Sequence, residues 1–287
     1  MNKKFAFIVI LVLVLGGAWF FFERSRAPRQ EVPVTPAPTP APAERTKLKV
    51  IASAVPHVEL LEFVKPELAK QGIDLEITPI DDSGSNARLY NEQTDNGEFD
   101  VNFAQHVPYL NSIKKEQNYD LAPAGNIHVE PIGFYSAKHK TKEEIPDKAV
   151  ISVPNNATNE YRALRILEQN GYLKLKPTIE NYSATKQDIA EYLKAGEIVE
   201  LEAGIIVRNA QDVDGYITNT NRILEAGIDP SSALFREGGD SPYANVLVTK
   251  TARVNEASIV ALKNALTTEA VRKFIQEKYK GAVIPAF

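Results

Sequence analysis

The chain predicts an α/β protein of two lobes, carried behind an N-terminal transmembrane helix and a proline-rich linker. Three observations lead there. Short apolar runs alternate with amphipathic stretches from about residue 47 onward, the pattern of a parallel sheet covered on both faces. The alternation comes in two sets, the second nested inside the first, which makes two α/β lobes joined by two crossings. Ahead of both sets, Phe5–Phe22 forms an almost unbroken apolar run followed by a Pro/Ala/Thr-rich stretch.

The apolar run, FAFIVILVLVLGGAWFFF, carries no charge and has about the length a helix needs to span a hydrocarbon core. A cleavable signal has a shorter apolar core and ends in small residues. This run ends in Trp19, Phe20, Phe21 and Phe22, which suit an interfacial aromatic belt. It therefore reads as an uncleaved anchor. Lys3 and Lys4 flank one side and Arg24, Arg26 and Arg29 the other, so flanking charge leaves the orientation open. The spacer Pro28–Ala43 has proline at a density that favours polyproline II or low-complexity disorder. At roughly 3.1 Å per residue its reach would be on the order of 50 Å.

The body begins with a strand at Leu48–Ser53, and Pro56 starts a turn into a helix. Val58, Leu61, Val64 and Leu68 fall on one face of that helix, Gly72 stops it, and Pro66 should bend it or divide it. Ile73–Ile77 and Phe99–Phe103 are the next strands. A second set opens near Pro131 with strands at Ile132–Ser136 and Ala149–Val153. A helix follows from about Thr158 to Gln169, closed by Gly171. Ile198–Ala203, Val213–Thr218 and Tyr243–Thr249 are further strands, and Glu256–Lys278 is a final helical stretch. A cleft between two such lobes is a preferred place for a small ligand, and hinge closure is the expected motion.

Composition removes several function classes. The formal net charge of −4 and the absence of a basic stripe with interleaved aromatics argue against nucleic acid. There is no cysteine, which excludes disulfides, thiol catalysis, thiolate metal sites and a thioether-linked lipid. The phosphate-cradling, serine-elbow and zinc-protease motifs are all missing, so no enzyme is expected. His57, His106, His128 and His139 show no ligand spacing such as an i,i+4 pair, so no metal and no cofactor is expected.

Five ordered segments sharpen the reading: FDVNFAQHVPYL (Phe99–Leu110), HVEPIGFYS (His128–Ser136), VPNNATNEYRAL (Val153–Leu164), SPYANVLV (Ser241–Val248) and KYKGAVIPAF (Lys278–Phe287). This set resembles the NlpA/MetQ family, the solute receptors of methionine ABC importers, and the likeness covers Lys47–Phe287. The resemblance implies a type II periplasmic-binding-protein fold and a body outside the cytoplasm, which puts the N-terminus inside. It divides the chain into a tip and anchor (1–27), a linker (28–46), lobe one (47–127 with 243–287) and lobe two (128–242). It also implies an amino-acid ligand, a partner permease and ATPase in the same membrane, and no catalysis. Family members are usually anchored through an acylated N-terminal cysteine, so Phe5–Phe22 would replace the lipid.

The resemblance assigns ligand binding to Arg162, Asn219 and Asn245. An arginine fork holds a carboxylate bidentately, and a side-chain amide offers donors and an acceptor together. Read alone, Arg162 fits a surface position near the start of a helix better than a ligand contact, and the asparagines fit turns and strand-edge caps better. The side-chain pocket departs from the family pattern. Asp82 matches an aromatic position, as does Ala104, while Phe103 stands at the tyrosine place of the Asn-Tyr-Phe-Gln-His motif. His106 and Tyr109 remain as lining candidates, with a core role for Tyr109 equally open. Losing two aromatics should weaken methionine, because a thioether–aromatic contact contributes about 0.3–1.5 kcal/mol. The expected ligand is then a methionine-like amino acid or, given the altered pocket, a larger or more polar amino acid or a short peptide. A metal-binding receptor, or a ligand sensor or adhesion protein without a transporter, are the alternatives.

Overall fold

The computed structural model describes residues 45–80, 86–177, 182–238 and 241–287. The expected anchor Phe5–Phe22, the spacer Pro28–Ala43 and the pocket residue Asp82 lie outside the described residues. Among the described residues, no helix is long and apolar enough to cross a membrane.

In chain order, β1 (Thr46–Ser53) leads through a helical turn into α1 (Glu59–Lys70), β2 (Ile73–Ile80), α2 (Asn86–Asp95), β3 (Val101–His106), α3 (Val107–Gln117) and β4 (Leu121–Val129). The chain then crosses to β5 (Gly133–Tyr135), β6 (Ala149–Pro154), α4 (Ala157–Gln169), β7 (Leu173–Leu175), β8 (Ile189–Tyr192), β9 (Ala195–Leu201), α5 (Ala203–Ile206), β10 (Gly215–Thr218), α6 (Thr220–Glu225) and β11 (Phe235–Arg236). It returns through β12 (Ala244–Lys250), α7 (Ala257–Leu266), α8 (Glu269–Tyr279) and β13 (Ile284–Pro285). A six-stranded sheet of order β13-β4-β12-β3-β1-β2 and a five-stranded sheet of order β11-β5-β10-β6-β9 each centre one lobe. The arrangement is the mixed α/β, two-sheet periplasmic-binding fold.

Both sheets are mixed, where the alternation alone predicts parallel ones. β1 pairs in parallel with β2 and β3, but β12 runs antiparallel to β3 and β4. The reason is topological. β4 leaves the first lobe and β12 re-enters it beside β4, so the two strands must point in opposite directions.

In lobe one, α1 buries Leu60, Leu61, Val64 and Leu68 against β1, α7 and α8. Pro66 does not divide this helix. It sits on the exposed face, where the Glu62 carbonyl that it leaves without an amide donor also faces solvent. The stretch Glu256–Lys278 is two helices, broken at Thr267 and Thr268. Thr267 Oγ1 donates back to the Lys263 carbonyl at 3.0 Å, and Thr268 Oγ1 caps α8 by accepting from Val271 N at 3.3 Å. Such hydroxyls compete with the helical ladder.

The third strand lies later than Phe99–Phe103. Asp100 is engaged before the strand begins, accepting from Lys49 N and from Arg253 Nη1 at 2.7 Å each. The ladder therefore starts at Val101 and carries Ala104, Gln105 and His106 to its C-terminal end. α2, α3 and β4 go unread in the sequence. β4, LAPAGNIHV, contains Pro123 and Gly125 and looks like a loop, yet it pairs with β12 through two register shifts.

Lobe two packs Phe134, Ile151, Val153, Leu164 and Leu167 beneath α4. Phe134 stacks on Phe235 with ring centroids 4.6 Å apart. Gly215 makes room for that ring, because a Cβ there would lie 2.1 Å from Phe134 Cζ. Gly215→Ala should therefore destabilise the protein by about 1–3 kcal/mol or more through overpacking. Urea denaturation followed by circular dichroism checks this, and an unchanged midpoint would contradict the packing.

Candidate functional site

Several polar side chains collect where strands end and helices begin, the position at which open α/β sheets take ligands. His106 closes β3 and caps α3, its Nδ1 accepting from Tyr109 N at 3.2 Å. Asn156 follows β6 and caps α4, its Oδ1 accepting from Asn159 N at 3.0 Å. Asn219 follows β10 as the N-cap residue of α6. These residues line a cavity of about 80 Å³ together with His57, Ala104, Gln105, Tyr109, Glu130, Asn221 and Asn245. That is space for roughly six water molecules.

One set of contacts across this cavity is made by neutral groups. Because His106 Nδ1 accepts from a backbone amide, its proton sits on Nε2, which donates to Asn159 Oδ1 at 3.0 Å. Asn219 Nδ2 donates to the same oxygen at 3.4 Å. Burial, with the positive charge of Arg162 nearby, pushes the His106 pKa down to about 3. The imidazole is therefore a neutral donor at physiological pH.

A second cluster forms the cavity floor. His128 Nε2 lies 2.8 Å and His57 Nε2 3.5 Å from Glu130 Oε1, and all three residues are buried. These donors are 71 to 73 residues apart or only two, so linear spacing gave no sign of the cluster; their ligand atoms lie within 4.8 Å of one another. The donor types suit a metal ion. The ring chemistry does not: a metal on His128 Nε2 would force the proton onto Nδ1, which is buried without an acceptor. With Nε2–H donating to Glu130, Nδ1 keeps only a lone pair there. An orphaned buried N–H is the rarer and costlier arrangement.

Arg162 stands in the second turn of α4, beyond the N-terminal amides, and its guanidinium is almost fully buried. Its Nε donates to Glu237 Oε1 and Oε2 at 3.1 and 3.0 Å, and Nη2 donates to Glu237 Oε2 and, at 2.7 Å, to the Glu130 carbonyl. The Tyr243 ring covers it, 4.2 Å from centroid to Cζ. Tyr243 also meets His106 edge-on, with centroids 5.0 Å apart.

The structure thus brings Ala104, His106, Tyr109, Asn219 and Asn245 to one cavity. It sets Arg162 beside them, facing an adjoining hollow with Tyr182, Glu237 and Tyr243. Asp82 lies outside the described residues. Sequence reasoning missed Asn156, Asn159, Glu130 and Tyr243 as site residues. Each lies within one of the segments VPNNATNEYRAL, HVEPIGFYS and SPYANVLV, so the signal was present without roles attached. Asn221 and His57 lie outside those segments.

Known proteins share the sequence pattern and the fold of this chain. The family model described as NlpA lipoprotein matches residues 48–287. The membrane lipoprotein TpN32 of Treponema pallidum is 36% identical, over 80% of this chain and 85% of the relative. The structure of an ABC transporter periplasmic substrate-binding protein from Coxiella burnetii superposes with a TM-score of 0.77 at 34% identity, covering 83% of this chain and all of that one. A nutrient binding protein from Burkholderia cenocepacia, solved bound to methionine, gives a TM-score of 0.78 at 34% identity, covering 84% of this chain and all of that one.

The buried imidazoles generate a pH prediction. His106 and His128 have pKa values near 3 in the folded protein, against an ordinary 6.5 in the unfolded chain. Between those values the unfolded chain binds more protons, so this contribution to stability is fully present above about pH 6.5 and is lost progressively toward pH 3. Imidazole NMR signals should show both rings still neutral at about pH 5. A midpoint near the ordinary value for either ring would contradict its burial.

Proposed function

The chain belongs to the NlpA lipoprotein family, and on that premise we propose that it is the receptor of an ABC importer that closes its two lobes on an amino acid. The family is one of substrate-binding proteins and not of enzymes. The observation that carries the proposal is the gathering of side-chain amides and the neutral His106 imidazole from both lobes at one cavity, whose lining also includes Glu130 and Arg222. Side-chain amides donate to a carboxylate and accept from an ammonium group. A zwitterion therefore finds partners of both kinds, with the Glu130 carboxylate and the Arg222 guanidinium also at the wall.

In this reading Asn219 and Asn245 hold the α-amino and α-carboxylate groups from opposite lobes. Arg162, next to them, adds positive charge for the carboxylate, its fork being already held by Glu237 through Nε and Nη2. Glu237 and Tyr243 hold that fork in a fixed plane beside the cavity. His106 and Tyr109 line the side-chain end. Ala104 leaves space where the resemblance places an aromatic, which favours a larger or more polar side chain, or a short peptide, over methionine itself. Methionine stays within the class, since the Burkholderia relative was solved bound to it. We further propose that Phe5–Phe22 and the proline-rich spacer tether an extracytoplasmic body to the membrane of its permease and ATPase.

A thermal-shift screen of amino acids and dipeptides should find a subset that stabilises the protein. The absence of any stabilising member would overturn the assignment. Arg162→Ala should weaken binding of the best ligand at least about 30-fold, because truncating one member of a buried charge-assisted pair costs about 2 kcal/mol or more. Unchanged affinity by calorimetry would remove Arg162 from the site. Ala104→Phe should improve methionine binding by about two- to tenfold, the size of one thioether–aromatic contact. A loss of methionine affinity would show that Ala104 does not border the side chain.

A further inference from the structure

Glu130 occupies the first crossing between the lobes and is 3% exposed. A carboxylate so buried needs partners, and here they come from both sides. His128 and His57, from lobe one, direct Nε2 at Oε1 at 2.8 and 3.5 Å. Asn221 N, at the start of α6 in lobe two, donates to Oε2 at 3.2 Å. The site residues hang from the same point. His57 Nε2 is 3.2 Å from Asn245 Oδ1, and the Glu130 carbonyl accepts from Arg162 Nη2.

We infer that the Glu130 carboxylate is an interlobe latch, a positioning residue that fixes the angle between the lobes and so sets Asn219, Asn245 and Arg162 at the spacing a ligand requires. The physical reason lies in what its loss leaves behind. Without the carboxylate, imidazole and amide donors from two lobes remain buried at the junction with no shared acceptor. Water is the available replacement, and water reaches that point when the lobes separate. The latch therefore favours closure before any ligand arrives, while ligand contacts complete it. The inference rests on the proposed amino-acid site for its functional meaning, but its test does not require a ligand.

The chain has no cysteine, so spin labels can be placed at Lys70→Cys in lobe one and Lys174→Cys in lobe two. Both side chains are well exposed, at 73% and 59%. Pulsed EPR distances in the ligand-free full chain should become longer and broader in Glu130→Gln. L-methionine should then bind about tenfold more weakly if the closed fraction falls to about a tenth. His128→Phe keeps a ring against Phe103 and removes one lobe-one donor, so it should shift the distances in the same direction. It decides the matter if Glu130→Gln does not fold. Lower stability with an unchanged distance distribution in a folded variant would overturn the latch and leave Glu130 a local staple. A parent chain that binds no amino acid would overturn the proposed ligand instead, with the distance shift still standing.

Discussion

The antiparallel ladder between β4 and β12 runs from Leu121 against Lys250 to Val129 against Ala244, and both strands reach the second lobe at the same end. That one ladder holds the outgoing and returning crossings side by side. Everything in the cleft depends on it. Glu130 and Pro131 leave next to the place where Tyr243 and Asn245 return, so residues more than a hundred positions apart meet in a few ångströms. The register shifts within the ladder bend the two strands from which the chain leaves and to which it returns. Thr220 Oγ1, donating to the Pro131 carbonyl at 2.7 Å, ties the start of α6 to the same crossing.

Charge is handled differently in the two halves of the site. Facing the cavity, His106 is neutral and its partners are amides, while Glu130 and Arg222 bring charge to other parts of the wall. Behind it, Arg162 and Glu237 form a buried pair, with the guanidinium nearly inaccessible and the carboxylate about one-fifth exposed. Removing two charges from water offsets most of their attraction, so such a pair is weak evidence for stability. Its effect here is geometric. Two donors on one carboxylate, a third contact to the Glu130 carbonyl and a ring on one face leave the fork little freedom to turn. A cation fixed in this way beside a cavity rich in amides suits a ligand that brings a carboxylate.

Local pattern explains which parts of this were legible. Leu61, Val64 and Leu68 announce α1, and the apolar runs at Leu48–Ser53, Ala149–Val153 and Tyr243–Thr249 announce strands, because each buries a face whose period is written in adjacent residues. β4 is not legible that way: Pro123 and Gly125 signal a loop, and only pairing with β12 makes the segment a strand. The same limit hides the cluster of His57, His128 and Glu130, whose members are joined by topology and not by spacing. Arg162 is an intermediate case. A motif identified it, but its distance from the helix start and its grip by Glu237 are tertiary facts.

The division of labour within the cleft bears on selectivity. In the proposed reading, amides and an arginine recognise groups that every amino acid shares, so they define a ligand class and cannot rank its members. Ranking falls to the side-chain end, where one methylene changes affinity by only about 1–3 kcal/mol. At that end Ala104 contributes space, while His106 and Tyr109 contribute surface. Small changes there shift preference within the class without touching the clamp. A receptor built this way can change its preferred side chain while Glu130, the crossings and the amide lining stay as they are. Glu130 meets Asn245 through His57 and Arg162 through its own carbonyl, and His106 meets Asn219 through Asn159 Oδ1.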